Sequence, residues 1–154
     1  MTLRIRPAEP ADAAAIAAIW NLVIRDTAIT FNAEEKDEAG LVRDLVARRA
    51  AGQGALVAEL DGAVVGFARY GQFRAGVGYA RTMEHTVILA EEAWGLGLGR
   101  ALMGAIEAQA RAGGAHAMIA GVSAENPAGI KFHCALGYTE IARIPEAGWK
   151  FGRF

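Results

Sequence analysis

Cysteine is nearly absent: Cys134 stands alone among 154 residues, so no internal disulfide can form, and with only three histidines no Cys/His spacing of a structural metal site occurs. A reducing compartment and no metal are therefore expected. Charge of one sign is also missing. Sixteen Lys and Arg against seventeen Asp and Glu leave a net charge of -1 and a pI near 6.3. There is no cationic surplus to neutralise a run of phosphates, which argues against a nucleic-acid partner. No apolar run is long enough to span a bilayer, and the opening Met1-Thr2-Leu3-Arg4-Ile5-Arg6 places charges where a signal peptide needs apolar residues. The expectation is a cytoplasmic protein with no membrane association. What is present, 53% hydrophobic against 21% charged residues, suffices for an independent core, and the length suits one domain over residues 1–154.

Periodicity places the elements. Leu3-Arg4-Ile5 alternates as a short strand, and Pro7 to Asp12 carries turn and helix-start signals before Ile16, Ile19, Trp20 and Val23 recur at helical spacing. Leu41, Val42, Leu45 and Val46 form a second helical stripe. Residues 55–59 and 64–70 are short apolar runs around Asp61-Gly62, a hairpin signal. Residues 82–89 make a β-branched strand with an embedded acid and histidine. The glycine-rich turn 95–99 opens a helix bearing Leu98, Leu102 and Ile106 that stops at Gly113-Gly114. Residues 117–122 read as a buried strand. Asn126-Pro127 opens a further helix closed by Gly137, and residues 138–144 read as a last strand. The order β-α-α-β-β-β-α-β-α-β predicts an α/β fold with a mixed, mostly antiparallel sheet flanked by helices.

A helix entered through Gly95-Leu96-Gly97-Leu98-Gly99 offers unshielded N–H groups at the positive end of its dipole, which suits a pyrophosphate. Glycines there can equally serve close packing. The turn lacks the Gly-Lys-Ser/Thr of a P-loop, and it follows a hairpin-built sheet rather than the first strand of a dinucleotide fold. The stretch from Thr86-Val87-Ile88-Leu89 through Trp94 to Gly95-Leu96-Gly97-Leu98-Gly99-Arg100-Ala101-Leu102 resembles the acetyl-CoA motif of the GCN5-related N-acetyltransferases. Asn126 through Ile130 to His133-Cys134-Ala135-Leu136-Gly137-Tyr138 resembles that superfamily's second cofactor motif. The two together span most of the chain. The resemblance implies acetyl-CoA as co-substrate. Backbone groups of Val87, Ile88 and Leu89 would meet the pantetheine arm, residues Gly95, Leu96, Gly97, Leu98, Gly99 and Arg100 the pyrophosphate, and Asn126 would also touch the cofactor. Trp94 departs from the pattern, which usually has arginine or glutamine before the glycines.

Acetyl transfer to an amine needs a base, because an ammonium with a pKa of roughly 8 to 10 is largely protonated at neutral pH. Glu84, just before the cofactor motif, is either a salt-bridged edge residue or that base; the phosphinothricin-type subfamily, which this segment resembles, implies the base. Strand alternation puts Glu84 and Thr86 on one face and His85 on the other, whereas the resemblance brings Glu84, His85 and Thr86 all to the substrate. His133 stands where many relatives have tyrosine, and two readings stay open: an acid for the departing thiolate, or a packing residue. In the loop Tyr70-Gly71-Gln72-Phe73-Arg74, the resemblance makes Arg74 the clamp for a substrate carboxylate, with Ala75 and Gly76 beside it; a guanidinium fork suits that task, although a solvated loop arginine is the alternative. Trp149 to Arg153 resembles the segment leading into the family's final strand. The resemblance as a whole implies N-acetylation of a small amino acid such as phosphinothricin, methionine sulfone or methionine sulfoximine, by a homodimer. A peptide N-acetyltransferase and a non-catalytic acyl-CoA sensor are the competing readings.

Overall fold

A computed structural model describes all residues, 1–154. In chain order the elements are β1 (Leu3–Pro7), α1 (Ala13–Asp26), α2 (Glu38–Ala50), β2 (Ala55–Leu60), β3 (Ala63–Gln72), β4 (Thr82–Leu89), α3 (Leu98–Ala112), β5 (Ala117–Ile119) and α4 (Pro127–Ala135). One sheet runs β1-β2-β3-β4-β5, antiparallel except for the parallel pair β4–β5. The expected mixed sheet with flanking helices is therefore what the chain forms.

Local chemistry explains the elements. Asp61 and Gly62 both take positive φ (50° and 85°), as a tight hairpin between β2 and β3 requires. Asp37 caps α2, its Oδ1 accepting from the Gly40 N–H at 2.7 Å. Helix α1 buries Ile16, Ile19, Trp20 and Ile24, so the fourth member of its apolar stripe is Ile24 rather than the half-buried Val23. With Leu41 and Leu45 of α2 these residues pack on Val57 and Phe67, covering one face of the sheet. On the other face, Leu98, Leu102, Met103, Ile106 and Ala110 of α3 meet Leu56, Ala58, Ala68, Tyr70 and Met83. Burying a side chain such as Phe67 or Ile106 is worth about 1.5–3 kcal/mol each, so these two layers hold the domain. Arg6 ties β1 to the start of α1: its Nη1 and Nη2 donate to Asp12 at 2.7 and 2.8 Å and its Nε to Glu59 at 2.7 Å. That guanidinium holds the Asp12 carboxyl below its ordinary range. No helix is long and apolar enough to cross a membrane.

Two expected strands are corrected. Residues 138–144 form no strand: apart from Tyr138 they are exposed and pair with nothing, because no strand lies beside them and a strand exists only through its ladder. The strand expected over 117–122 ends at Ile119 and is half-buried, because its parallel partner β4 diverges after the pair Glu84 and Ile119.

Candidate active site

That divergence makes the site. Two backbone bonds at the ends of the β3–β4 ladder, Phe73 N–H to the Thr82 carbonyl (2.9 Å) and Ala90 N–H to the Val65 carbonyl (2.8 Å), set its alternation. Residues 84, 86 and 88 therefore turn their backbone groups toward β3. Val87 and Leu89 turn theirs the other way, where β5 has already left. Of the three residues expected to offer backbone groups to a cofactor, Val87 and Leu89 face the open edge, whereas Ile88 is committed to Phe67 of β3 and to the core beneath α1. The Leu89 carbonyl accepts a hydrogen bond from Trp94 Nε1 at 3.2 Å, a contact that the departure from the family pattern at Trp94 did not disclose. Trp94 itself is 60% exposed, so its ring is a rim to the slot rather than part of the core.

Past the slot, Gly97 caps α3 in the left-handed region (φ 80°), after Gly95 at φ 75°; a Cβ at either would meet open space. The first turn bond of α3 is Ala101 N–H to the Gly97 carbonyl, so the N–H groups from Leu98 to Arg100 have no partner within the helix. Gly99 differs: a Cβ there would lie 3.1 Å from Phe132 and 3.2 Å from Leu89, which makes it the packing glycine of the three. Leu96 is half-buried and Leu98 buried, each serving the turn through its backbone. The Arg100 Nη2 donates to the Ala135 carbonyl at 3.3 Å, linking α3 to α4. Asn126 caps α4, its Oδ1 accepting from the Gly129 N–H at 2.9 Å. The open edge of β4 and the unshielded N–H groups of the α3 turn thus fit an extended chain that ends in phosphates.

Glu84 and Thr86 lie on the α1–α2 face, and the Glu84 carboxylate makes no ion pair or hydrogen bond within the chain. Glycine flanks it on both sides. Gly71 is its partner on β3, and a Cβ on Gly121 would stand 2.8 Å from Glu84 Oε1. Gly121 clears room for a free carboxylate at the apex of the β4–β5 split, whereas a Cβ at Gly71 would meet open space, and neither glycine stood out in the sequence. The salt-bridged edge reading of Glu84 has no partner to support it.

His85 points to the opposite face and is only 8% exposed, away from Thr86 and Glu84. Its Nε2 lies 2.9 Å from Nε2 of His133, whose Nδ1 lies 2.7 Å from the Gly129 carbonyl. Burial, and secondarily His133, push the His85 pKa down to about 4, so the ring is neutral near pH 7. Tyr138 meets both imidazoles edge-on, with centroids 5.7 and 5.4 Å away, and its hydroxyl donates to Glu107 at 2.8 Å. Burial and then that carboxylate push the Tyr138 hydroxyl pKa up. The sequence placed Tyr138 at the start of a strand; the structure makes it the third ring of this cluster.

Arg74 sits in the loop beyond β3, on the same end of the hairpin as Gly71 and Glu84. Its guanidinium lies 5.1 Å over the Tyr79 ring and has no carboxylate partner. The loop is held from below: Gln72 Nε2 donates to the carbonyls of Arg74 (2.6 Å) and Gly76 (2.7 Å), leaving Ala75 and Gly76 exposed. On the same sheet face Arg69, paired in register with Thr86, donates to Asp44 at 2.7 Å and stacks 4.5 Å from Trp20, which shows that this face already stores cationic groups.

Known proteins resemble this chain over nearly its whole length. An L-amino acid N-acyltransferase, MnaT, of Escherichia coli is 38% identical over 99% of this chain and 88% of its own length. An L-methionine sulfoximine/L-methionine sulfone acetyltransferase of Salmonella typhimurium is 38% identical over 99% of this chain and 89% of its own. The solved structure of yncA from Salmonella typhimurium with its cofactor acetyl-CoA superposes with a TM-score of 0.94 at 38% identity, over 100% of this chain and 89% of that one. The profile of the acetyltransferase (GNAT) family matches residues 16–138, which take in strands β2 to β5 and all four helices except the first turn of α1, and the chain belongs to that family.

Proposed function

We propose that this chain is an acetyl-CoA-dependent N-acetyltransferase acting on the amine of a small amino acid of the methionine sulfone, methionine sulfoximine or phosphinothricin type. The observation that carries the reading is the unpaired Glu84 carboxylate, set between Gly71 and Gly121 where the edge of β4 opens. Backbone groups of Val87 and Leu89 receive the pantetheine arm, and the N–H groups of Gly95 to Arg100 receive the pyrophosphate, with the helix dipole adding to the attraction. Bound acetyl-CoA supplies an activated acetyl group. Glu84 takes the proton of the acceptor ammonium and so exposes the nitrogen lone pair. The Val87 N–H, facing the slot, is placed to stabilise negative charge on the acetyl oxygen. A thiol pKa of about 8.5 makes the thiolate a tolerable leaving group without a dedicated acid. Arg74 holds the acceptor carboxylate with its free fork, and Thr86 lines the same face. The scarcity of cysteine leads us to take the enzyme as cytoplasmic, and the family resemblance leads us to take it as dimeric; light scattering on the purified protein tests the second point.

A panel of free amino acids, carboxylate-free amines and short peptides, assayed with acetyl-CoA by thiol release, tests the assignment. Free amino acids should turn over best. Arg74→Ala should raise their KM by roughly ten- to a hundred-fold, the worth of a lost charged hydrogen-bond pair, while changing weak turnover of carboxylate-free amines little. Preference for peptides would move the enzyme to another acceptor class, and acetyl-CoA binding without turnover would make the chain a sensor.

A further inference from the structure

The two imidazoles that bridge β4 and α4 are wired in one direction. A carbonyl only accepts, so the 2.7 Å contact to Gly129 places a hydrogen on Nδ1 of His133. With that hydrogen on Nδ1, the ring lone pair of His133 lies on Nε2, and the 2.9 Å contact then has His85 Nε2 as the donor. His85 Nδ1 is left as a bare acceptor, which agrees with its being buried without a hydrogen-bond partner. The opposite wiring would turn an N–H toward the Ile119 backbone, which lies near the ring but makes no hydrogen bond of acceptable geometry with Nδ1, a costlier arrangement than an idle lone pair.

We infer that His85 is a positioning residue: it holds His133 as a hydrogen-bond acceptor, and the neutral pair braces α4 against β4 across the cofactor slot instead of supplying an acid. The bridge falls one residue after β4 and β5 part at Glu84 and Ile119, where the sheet no longer joins the two walls. Both ring nitrogens of His133 are thereby occupied, so no N–H of this ring is free for a leaving thiolate. No full charge touches the pair directly. From α3, Glu107 reaches it only through the Tyr138 hydroxyl; β5 offers the Ile119 backbone; β3 offers Tyr70, the register partner of His85. Tyr138 closes the remaining side with its ring. A brace of this kind lets the chain open a sheet for a ligand without letting the far wall drift. Its link to acetyl-CoA rests on the acetyltransferase reading; the wiring does not.

Nitrogen-resolved NMR of the imidazoles in the intact protein at neutral pH decides the wiring: His133 should carry its hydrogen on Nδ1 and His85 on Nε2. Calorimetry with acetyl-CoA then tests the brace. His85→Phe keeps the ring volume but removes the donor, and should weaken binding about three- to tenfold, the scale of one hydrogen bond. His85→Gln, whose amide can donate to Nε2, should recover most of that loss, which a packing role alone would not produce. A hydrogen found on Nε2 of His133 overturns the wiring, and equal losses in the Phe and Gln variants overturn the positioning role. If acetyl-CoA does not bind the wild type at all, the acetyltransferase reading falls while the NMR result still stands or fails by itself.

Discussion

Helices α3 and α4 flank the same slot but are held in different ways. Along its fifteen residues α3 buries Leu98, Leu102, Met103, Ile106 and Ala110 against the sheet, whereas the nine residues of α4 include none that is buried. Apart from half-buried Phe132, which packs on the α3 cluster, polar links hold α4 in place: the His85–His133 bond, Arg100 to the Ala135 carbonyl, and, just before the helix, Arg153 to Glu125 at 2.7 and 3.0 Å. Apolar burial is non-directional and strong in sum, so it makes a rigid floor. Directional bonds set a wall at a chosen distance and leave space beside it.

The contrast can be broken most directly by cavity formation. Ile106→Ala should cost about 2–5 kcal/mol of stability in urea unfolding, while Ile130→Ala on α4 should cost about 1 kcal/mol or less. Comparable costs would mean that both helices are core. The polar side has a pH signature of nearly the same size. Unfolded His85 takes up a proton near 6.5 and the folded residue only near 4, so stability should fall as pH drops between those values, by about 3 kcal/mol, and this contribution should level off below. His85→Phe should flatten that window in a series of unfolding midpoints; the Asp12–Arg6 pair acts only lower, below the ordinary carboxylate range. A slope that survives His85→Phe assigns the loss elsewhere.

Within the slot, Glu84→Gln should lower turnover about 100-fold near neutral pH, with acetyl-CoA affinity by calorimetry unchanged. Full activity in that variant would remove the carboxylate from the chemistry. The smallest effect sharpens the contrast between two glycines of one turn. Gly97→Ala places a Cβ in open space but on a left-handed residue, a strain of about 1–2 kcal/mol carried by the free protein, and it should in addition weaken acetyl-CoA binding. Gly99→Ala presses on Phe132 and Leu89 and should lower the thermal midpoint of the free protein with acetyl-CoA affinity little changed. Identical behaviour of the two variants would show that the turn has a single function.

How far the sequence alone reached depends on the range of the interaction. The Asp61-Gly62 turn, the stripes of α1 and α3, the Asn126 cap and the glycine entry to α3 are set by residues within one or two turns of each other, and all were legible. The two stretches that resemble cofactor motifs, with Glu84 just before the first, were recognised instead by their likeness to a family. What needed the folded chain is everything decided between distant segments. Whether Glu84 has a cation partner depends on side chains far away in sequence; the room around it comes from Gly121, which no local pattern marks. Pairing His85 with His133 spans 48 residues and joins, in one part-buried contact, a residue expected at the substrate and one read as either an acid or a packing residue. The strand expected over residues 138–144 failed for the complementary reason: its own residues favour extension, but a strand is a pair, and only tertiary structure decides whether the partner is there.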